Sequence, residues 1–456
     1  MIARSAIQRQ TQRALRQSWN QSTRGYAATT SGSLQYQQGD SNGIKFASRD
    51  NAGVVSSVAL VSKAGTRYQT LPGLAEALVR YAFRTTERRS TLRIQRESEL
   101  LGSELIRHHT RENLVVGAKF LRDDLPYFLE LLAEVATMTK FQQHVVNEEI
   151  IPLMEMNQKK ILGNTLLLAN ESAHALAFHR GLGAPVHPTS SVPFKKYVNA
   201  ESIAAYAEAA YAKPNFALVA NGVEHGELSK WIGEFFEEVP ATPSVELKTE
   251  QSKYYGGEER IAHASGNSMI LAFPGSSAPT GSFYKPEVAV LGTLLGGESS
   301  IKWSPGFSLL ANAASETSPN LKISTKSHIY TDAGLLAISI DGPASEVREM
   351  AQKAVETLKA VSENVSEEQL TKAKALAKFK ELEFASLTQS GMEYTGAGLV
   401  RDSKPYQINE VAQSYDSVTA EKVKQVAKEA LENKASVSAV GDLYVLPYAE
   451  EIGLKV

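Results

Sequence analysis

The chain has 456 residues, 43% hydrophobic and 21% charged, with 48 Lys and Arg against 50 Asp and Glu for a formal net charge of −2. This is the composition of a large folded protein of two or three domains, and the absence of cysteine excludes thiolate zinc, iron–sulfur and c-type haem ligation on this chain. No run approaches the ~18 consecutive apolar residues of a membrane span, and neither a G-x-x-x-x-G-K-[ST] loop nor a G-x-G-x-x-G turn supports nucleotide binding.

The first 26 residues differ from the rest. They carry Arg4, Arg9, Arg13, Arg16 and Arg24, whereas the first acidic residue of the chain is Asp40. On a helix Arg9, Arg13 and Arg16 share one face, with Ile7, Ala14 and Leu15 near the other, the Arg-rich, acid-poor pattern of a mitochondrial transit peptide. Arg24-Gly25-Tyr26 before Ala27 is similar to the R-x-Y cleavage signal of such peptides, so removal of residues 1–26 is expected. Loss of five arginines changes 48 against 50 into 43 against 50, near −7. An acidic body lacks the electrostatic footprint of a nucleic-acid binder.

Beyond the leader, the elements repeat one plan. A strand near Ser56 to Lys63 precedes helices near Pro72 to Arg84 and Leu92 to Gly102, and a strand pair ends in Asn113 to Phe120. A helix then carries Leu125, Phe128, Leu129, Leu132 and Val135 on one face, and a long helix runs through Val145 to Leu162. Helix Glu201 to Tyr211 and strand Phe216 to Ala220 close the first unit. After a Pro-, Gly- and charge-rich stretch the order returns: strand Met269 to Phe273, helix Pro286 to Leu295, strands Leu321 to Tyr330 and Gly334 to Asp341. An amphipathic helix follows through Val347 and Leu358, and then a long helix opened by a capping box at Ser366-Glu367-Glu368-Gln369. Helix Ala420 to Glu432 and strand Ala435 to Ala439 close the second unit. The expectation is an α+β protein of two homologous domains, 40–238 and 261–456, joined by a linker at 239–260. Each would hold a mixed, mostly antiparallel sheet with helices packed on it.

Within that plan, Gly73 to Phe83 resembles the helix that carries H-x-x-E-H in the inverted zinc peptidases, where two imidazoles one turn apart grip zinc and the Glu activates water. Three further segments match in register. Gly65-Thr66-Arg67-Tyr68-Gln69 is similar to the family's G-S-R-x-E turn, Ala173 to Gly183 to its L-H-x-x-A-F/Y-x-x-x-x-L-G segment, and Phe216 to Leu228 to its strand-turn-helix. The resemblance implies a clamshell of two halves, and it implies zinc positions at which this chain has Glu76, Val79 and Arg80. Val79 has no lone pair, and a guanidinium offers only donors. A unit charge ~4 Å from Zn²⁺ costs roughly 8 kcal/mol at an effective dielectric of ~20. The family's third ligand, a Glu on a later helix, maps to Ile150 to Asn157, with Met154 at the ligand position and Glu155 one residue off it. No catalytic residue, metal ligand or bound cofactor is therefore expected, and Glu76 with Arg80 reads as a helix-surface ion pair. The histidines offer no second centre: His108 and His109 are adjacent, His174 and His179 are five apart, and His225 sits at a turn, all read as surface or packing residues.

Mitochondrial family members with degraded zinc motifs are the recognition (alpha) subunit of the matrix processing peptidase and the core subunits of respiratory complex III. The recognition subunit has a long glycine-rich loop early in its second domain. Here the matching stretch opens with Gly296-Gly297 and turns to Ile301, Lys302, Trp303 and Pro305, residues that restrict the backbone. The resemblance therefore favours a structural core subunit on the matrix side of the inner membrane, attached through its partners. Those partners would be core subunit 1, the b-type and c-type cytochromes, the Rieske protein and a second copy of the complex, with haems and the iron–sulfur cluster on other subunits. Presequence recognition for a catalytic partner is the alternative.

Overall fold

A computed structural model describes residues 35–189, 193–247, 250–281, 283–297 and 306–456, without the side chains of 385, 386 and 388. The cleavage residues Arg24, Tyr26 and Ala27, and the loop residues Ile301, Lys302, Trp303 and Pro305, lie outside the described residues.

Two sheets organise the chain. The first holds β1 (Gln37–Ser41), β2 (Ile44–Arg49), β3 (Val55–Ser62), β4 (Glu104–His109), β5 (Leu114–Leu121) and β6 (Phe216–Asn221), in the order β1-β2-β6-β3-β5-β4. The second holds β7 (Gly257–Ala262), β8 (Ser268–Pro274), β9 (Lys322–Ile329), β10 (Gly334–Asp341) and β11 (Ser436–Gly441), in the order β7-β11-β8-β10-β9. Every pairing is antiparallel except β2 with β6 and β7 with β11, where the last strand of each half inserts beside an early one. Both sheets are thus mixed and mostly antiparallel, with the same plan in each half.

The first half carries α1 (Leu74–Tyr81), α2 (Thr91–Leu100), α3 (Leu125–Thr137), α4 (Ile151–Leu162), α5 (Thr165–Phe178), α6 (Ala200–Ala210) and α7 (His225–Phe235). The second carries α8 (Pro286–Leu295), α9 (Leu309–Thr317), α10 (Ala344–Glu363), α11 (Glu367–Ser386), α12 (Thr388–Asp402), α13 (Ile408–Asp416) and α14 (Ala420–Glu432). The capping box forms at α11: Gln369 N donates to Ser366 Oγ at 3.2 Å and Ser366 N to Gln369 Oε1 at 3.3 Å. The expected unbroken helix through Val145 to Leu162 is interrupted by a π turn at Val146–Ile150 just before α4. Pro152 supplies the reason, because it has no amide to return to the carbonyl four residues back.

The central strands of each sheet are covered on both faces, which explains strands such as β3 that show no polar alternation. One face of the first sheet, with Phe46, Val58, Leu60, Val116 and Leu218, packs on its own half's helices. The opposite face, with Ala47, Ala59, Val61, Val115, Ala217 and Val219, packs on Met392 and Leu399 of α12, a helix of the other half. The exchange is reciprocal. Ala169, Ala173 and Ala177, one stripe of α5, lie on Ile270, Ala272, Leu335, Ala337 and Val440 of the second sheet. Contact on the α12 side is close enough that a Cβ at Gly396 would stand 2.5 Å from Val61 Cβ. These crossed helices hold the two halves together through apolar area, at ~25 cal/mol per Å² removed from water.

Candidate functional site

The residues at the peptidase-like positions start from a buried helix. Gly73, at φ 87°, turns the chain into α1 in a left-handed conformation that a side chain resists. Leu74, Ala75, Ala77, Leu78, Val79 and Tyr81 are all buried, so α1 sits in the core and not on a surface. Glu76 in the first turn and Arg80 in the last each match the end of the helix dipole that favours them. The carboxylate of Glu76 is only 2% exposed, and a charge so buried persists only when paired.

Three residues surround it. Arg80 donates through Nη2 at 2.6 Å and Nε at 3.0 Å to Oε1, and Asn157 Nδ2 donates to the same oxygen at 3.0 Å. His187 Nδ1 lies 3.1 Å from Oε2, within ion-pair range without hydrogen-bond alignment. Burial pushes the Glu76 carboxyl up, but the His187 ring and the Arg80 guanidinium together hold it below its ordinary value. The ion pair read from the sequence is present, yet it is a buried network and not the exposed i,i+4 pair expected. The helix faces inward, so its polar pair lies between α1, α4 and the 181–189 loop.

The distal position differs from the sequence expectation. Asn157, not Met154, is the α4 residue that reaches Glu76. Met154 is fully buried, and its Cε would stand 3.0 Å from a Cβ at Gly73. The two positions are one helical turn apart, about 4.5 Å along the axis, so both face α1 but only the later one meets the carboxylate. Glu155 points away and pairs with Lys195. His187 had no sequence signal, since it lies in irregular chain, and Asn157 lies one turn after Met154 in the stretch that the resemblance maps to the distal ligand.

This constellation does not fit zinc. Its one carboxylate is already held by a permanent cation, an amide and an imidazole, and Val79 offers no group that could take a proton. Among the described residues no group of three or more His, Asp or Glu is placed to hold a metal ion.

The histidines have structural partners. His174 is fully buried; its Nδ1 bonds the Asn170 carbonyl at 2.7 Å and its Nε2 the Tyr330 hydroxyl at 2.8 Å, across the two halves. Burial lowers it well below the imidazole range, and burial likewise lowers His328 to about 3 and His109 to about 4. His109 bonds the Val186 carbonyl at 2.9 Å and His225 bonds Ser48 Oγ at 2.8 Å. His108 meets Glu393 at 3.1 Å, and His179 stacks on Tyr255 with centroids 4.0 Å apart.

A second charged cluster crosses the seam between the halves. Glu112 accepts from Arg67 at 2.8 Å, from Arg401 at 3.1 Å and from both the amide and hydroxyl of Thr331, at 3.0 and 2.6 Å. Arg67, from the Gly65-Thr66-Arg67 turn, also forks onto Asp332 with two 2.7 Å bonds. Glu393 of α12 accepts from Thr110 and Asn113, each at 3.0 Å. Beside this cluster lies a cavity of about 460 Å³ lined by both halves, including Arg111, Glu171, His174, Lys326, His328 and Tyr394.

Comparison with known proteins adds the following. Residues 45–185 match the family described as Insulinase (Peptidase family M16), and residues 197–376 match the Peptidase M16 inactive domain. A Neurospora crassa protein named cytochrome b-c1 complex subunit 2, mitochondrial, is 48% identical over 460 residues, covering 100% of both chains. A Schizosaccharomyces pombe protein of the same name is 34% identical over 92% of this chain and 95% of its own. The Homo sapiens protein of that name is 26% identical over 90% of each.

Proposed function

The chain belongs to the M16 peptidase family, among the members named cytochrome b-c1 complex subunit 2, and from that premise we propose that it is the non-catalytic core subunit 2 of mitochondrial complex III. Full-length similarity at 48% identity to a subunit of that name carries this reading. The Glu76 network supports the non-catalytic part. A peptidase needs a polarised water, and here every group near the former zinc positions is neutral, already paired or repels a cation.

The role so assigned is mechanical. Core subunit 2 supplies packed surface to core subunit 1 and to the cytochrome-bearing subunits, and obligate interfaces of this kind bury ~2,000 Å² or more. The haems and the iron–sulfur cluster belong to those partners, consistent with the absence of cysteine in the sequence. No helix among the described residues is long and apolar enough to cross a membrane; the proposed place of the subunit is peripheral, on the matrix side, held by its neighbours. The Arg-rich residues 1–26, cut after Tyr26, would direct import. We read two domains, 40–238 and 261–456, joined by a linker at 239–260 and closing as a clamshell; one sheet per half supports the division into two, while β1 begins at Gln37, ahead of the first bound, and β7 at Gly257, within the linker.

Native extraction in mild detergent tests the assignment. The chain should co-migrate with b-type and c-type haem absorbance. Recovery as a small, haem-free heterodimer that raises presequence cleavage by a catalytic partner would instead support a processing-peptidase subunit.

A further inference from the structure

A pocket of about 330 Å³ lies between the C-terminal end of α1, helix α2 and the edge strand β4. Its lining combines a floor of Phe83, Ile94 and Leu105 with polar groups that are almost all donors, foremost Arg84, Arg107 and Ser98. Nothing in the scaffold role described above uses it.

The donors are incompletely matched. Arg107 Nη1 caps α1 by donating to the carbonyls of Arg80 at 3.3 Å and Ala82 at 3.0 Å. No carboxylate among the described residues pairs with it, and its Nε and Nη2 remain available. Arg84 Nη1 meets Glu149 at 2.5 Å, a partner that is 47% exposed, while its own Nε is buried without a hydrogen-bond partner. Ser98 Oγ is also buried without one, in a residue only 4% exposed. Desolvation and the neighbouring charges of Arg84 and Arg80 lower the Arg107 pKa, although Arg84 and Arg80 have carboxylate partners of their own in Glu149 and Glu76 and Arg107 keeps an exposed face. The acid on the pocket lining, Glu99, is exposed and is bonded by Gln95 at 3.0 Å. Phe83 adopts φ 64°, a left-handed turn that a bulky residue resists, as the chain passes from α1 to Arg84.

We propose that this pocket binds a phosphate group, as a soluble phosphoester or as the headgroup of an anionic phospholipid. The chemistry follows from the donor set. Guanidinium forks match tetrahedral oxyanions bidentately, and the oxygens of a phosphate, which point along separate tetrahedral directions, can meet Arg107, Arg84 and Ser98 from different sides of the pocket. The volume is that of a small-molecule site, and the apolar floor suits the carbon portion of an ester.

Calorimetric titration of the chain from Ala27 onward, without the Arg-rich leader, with inorganic phosphate at ionic strength held constant with chloride, tests this directly. Saturable binding is expected, weakened about tenfold or more in Arg107→Gln, the loss of one charged hydrogen-bond donor set. Arg107→Lys, which keeps the charge without the fork, should fall between the two. Because Arg107 also caps α1, Ser98→Ala serves as a second variant that leaves the cap intact and should also weaken binding. Sedimentation with phosphatidylcholine vesicles, with and without phosphatidic acid, separates the sources. Pelleting only with phosphatidic acid, reversed by phosphate, identifies a lipid headgroup; phosphate binding without pelleting identifies a soluble ligand. Absence of binding to both probes, or equal affinity in wild type, Arg107→Gln and Ser98→Ala, overturns the proposal.

Discussion

Two buried carboxylates, Glu76 and Glu112, are surrounded by the same kinds of residue and serve opposite ends. Glu76 gathers Arg80, Asn157 and His187, all from the first half, so its network closes on itself. Glu112 gathers Arg67 from its own half and Arg401 and Thr331 from the other, so its network is a clasp. The difference teaches that a buried charge can be satisfied within one half or used to tie two halves together. The Glu76 network satisfies its charge within one half, whereas the Glu112 network joins residues some 290 apart in the chain, from Glu112 to Arg401.

The largest effect should therefore come from the clasp. Glu112→Ala leaves Arg67 and Arg401 buried with a shared counter-charge removed, and a loss of ~3–5 kcal/mol is expected in chemical denaturation. A loss under ~1 kcal/mol would show that Asp332 alone suffices. Next is the crossed-helix contact, where Gly396→Ala adds a methyl against Val61. Overpacking of that kind costs ~1–3 kcal/mol, and limited proteolysis should detect loosening of α12.

At the inner network, Glu76→Gln keeps the shape and removes the charge, so ~1–3 kcal/mol should be lost with the charged hydrogen bonds from Arg80. Zinc binding gives a sharper test of register. Glu76→His with Val79→Glu and Arg80→His should bind no stoichiometric zinc, whereas adding Asn157→Glu should create the missing ligand. Zinc uptake with Met154→Glu as the fourth change, and not with Asn157→Glu, would return the distal position to Met154.

The smallest and most graded effect is the pH dependence. His109, His174 and His328 have folded-state values depressed below the unfolded ~6.5, so the unfolded chain binds more protons and stability falls as pH drops through 6.5 toward about 4. Each such proton contributes a slope of at most ~1.4 kcal/mol per pH unit. Glu76, Glu393 and Asp332 have lowered values as well, so their contributions are present above the unfolded carboxylate range and are lost only at lower pH. Thermal melts should thus decline in two stages, and a midpoint constant from pH 7 to 5 would contradict the histidine stage.

Much of this was legible in the chain. Helix and strand periods gave α8, β10 and α14 with the same ends as the structure, because each is bounded by Pro, Gly or a change of polarity that acts locally. The α1 substitutions could be weighed from chemistry alone, since no fold makes Arg80 a zinc ligand. Other readings needed the third dimension. The burial of Glu76 was not visible because an i,i+4 pair looks the same on a core helix as on a surface one. Asn157 was missed because the spacing to a distant helix depends on the intervening path, here with a π turn ahead of Pro152.

What the sequence determined by itself was therefore local or chemical: many of the elements, the doubled plan and the side chains that stand on α1. What only tertiary structure decided was which surfaces meet. The apolar stripe of Ala169, Ala173 and Ala177 announces a buried helix, but nothing along the chain says that it lies on the other half's sheet. The hydrophobic effect is non-directional, so a sequence records that a face is buried and leaves the choice of partner to the packing of the whole molecule.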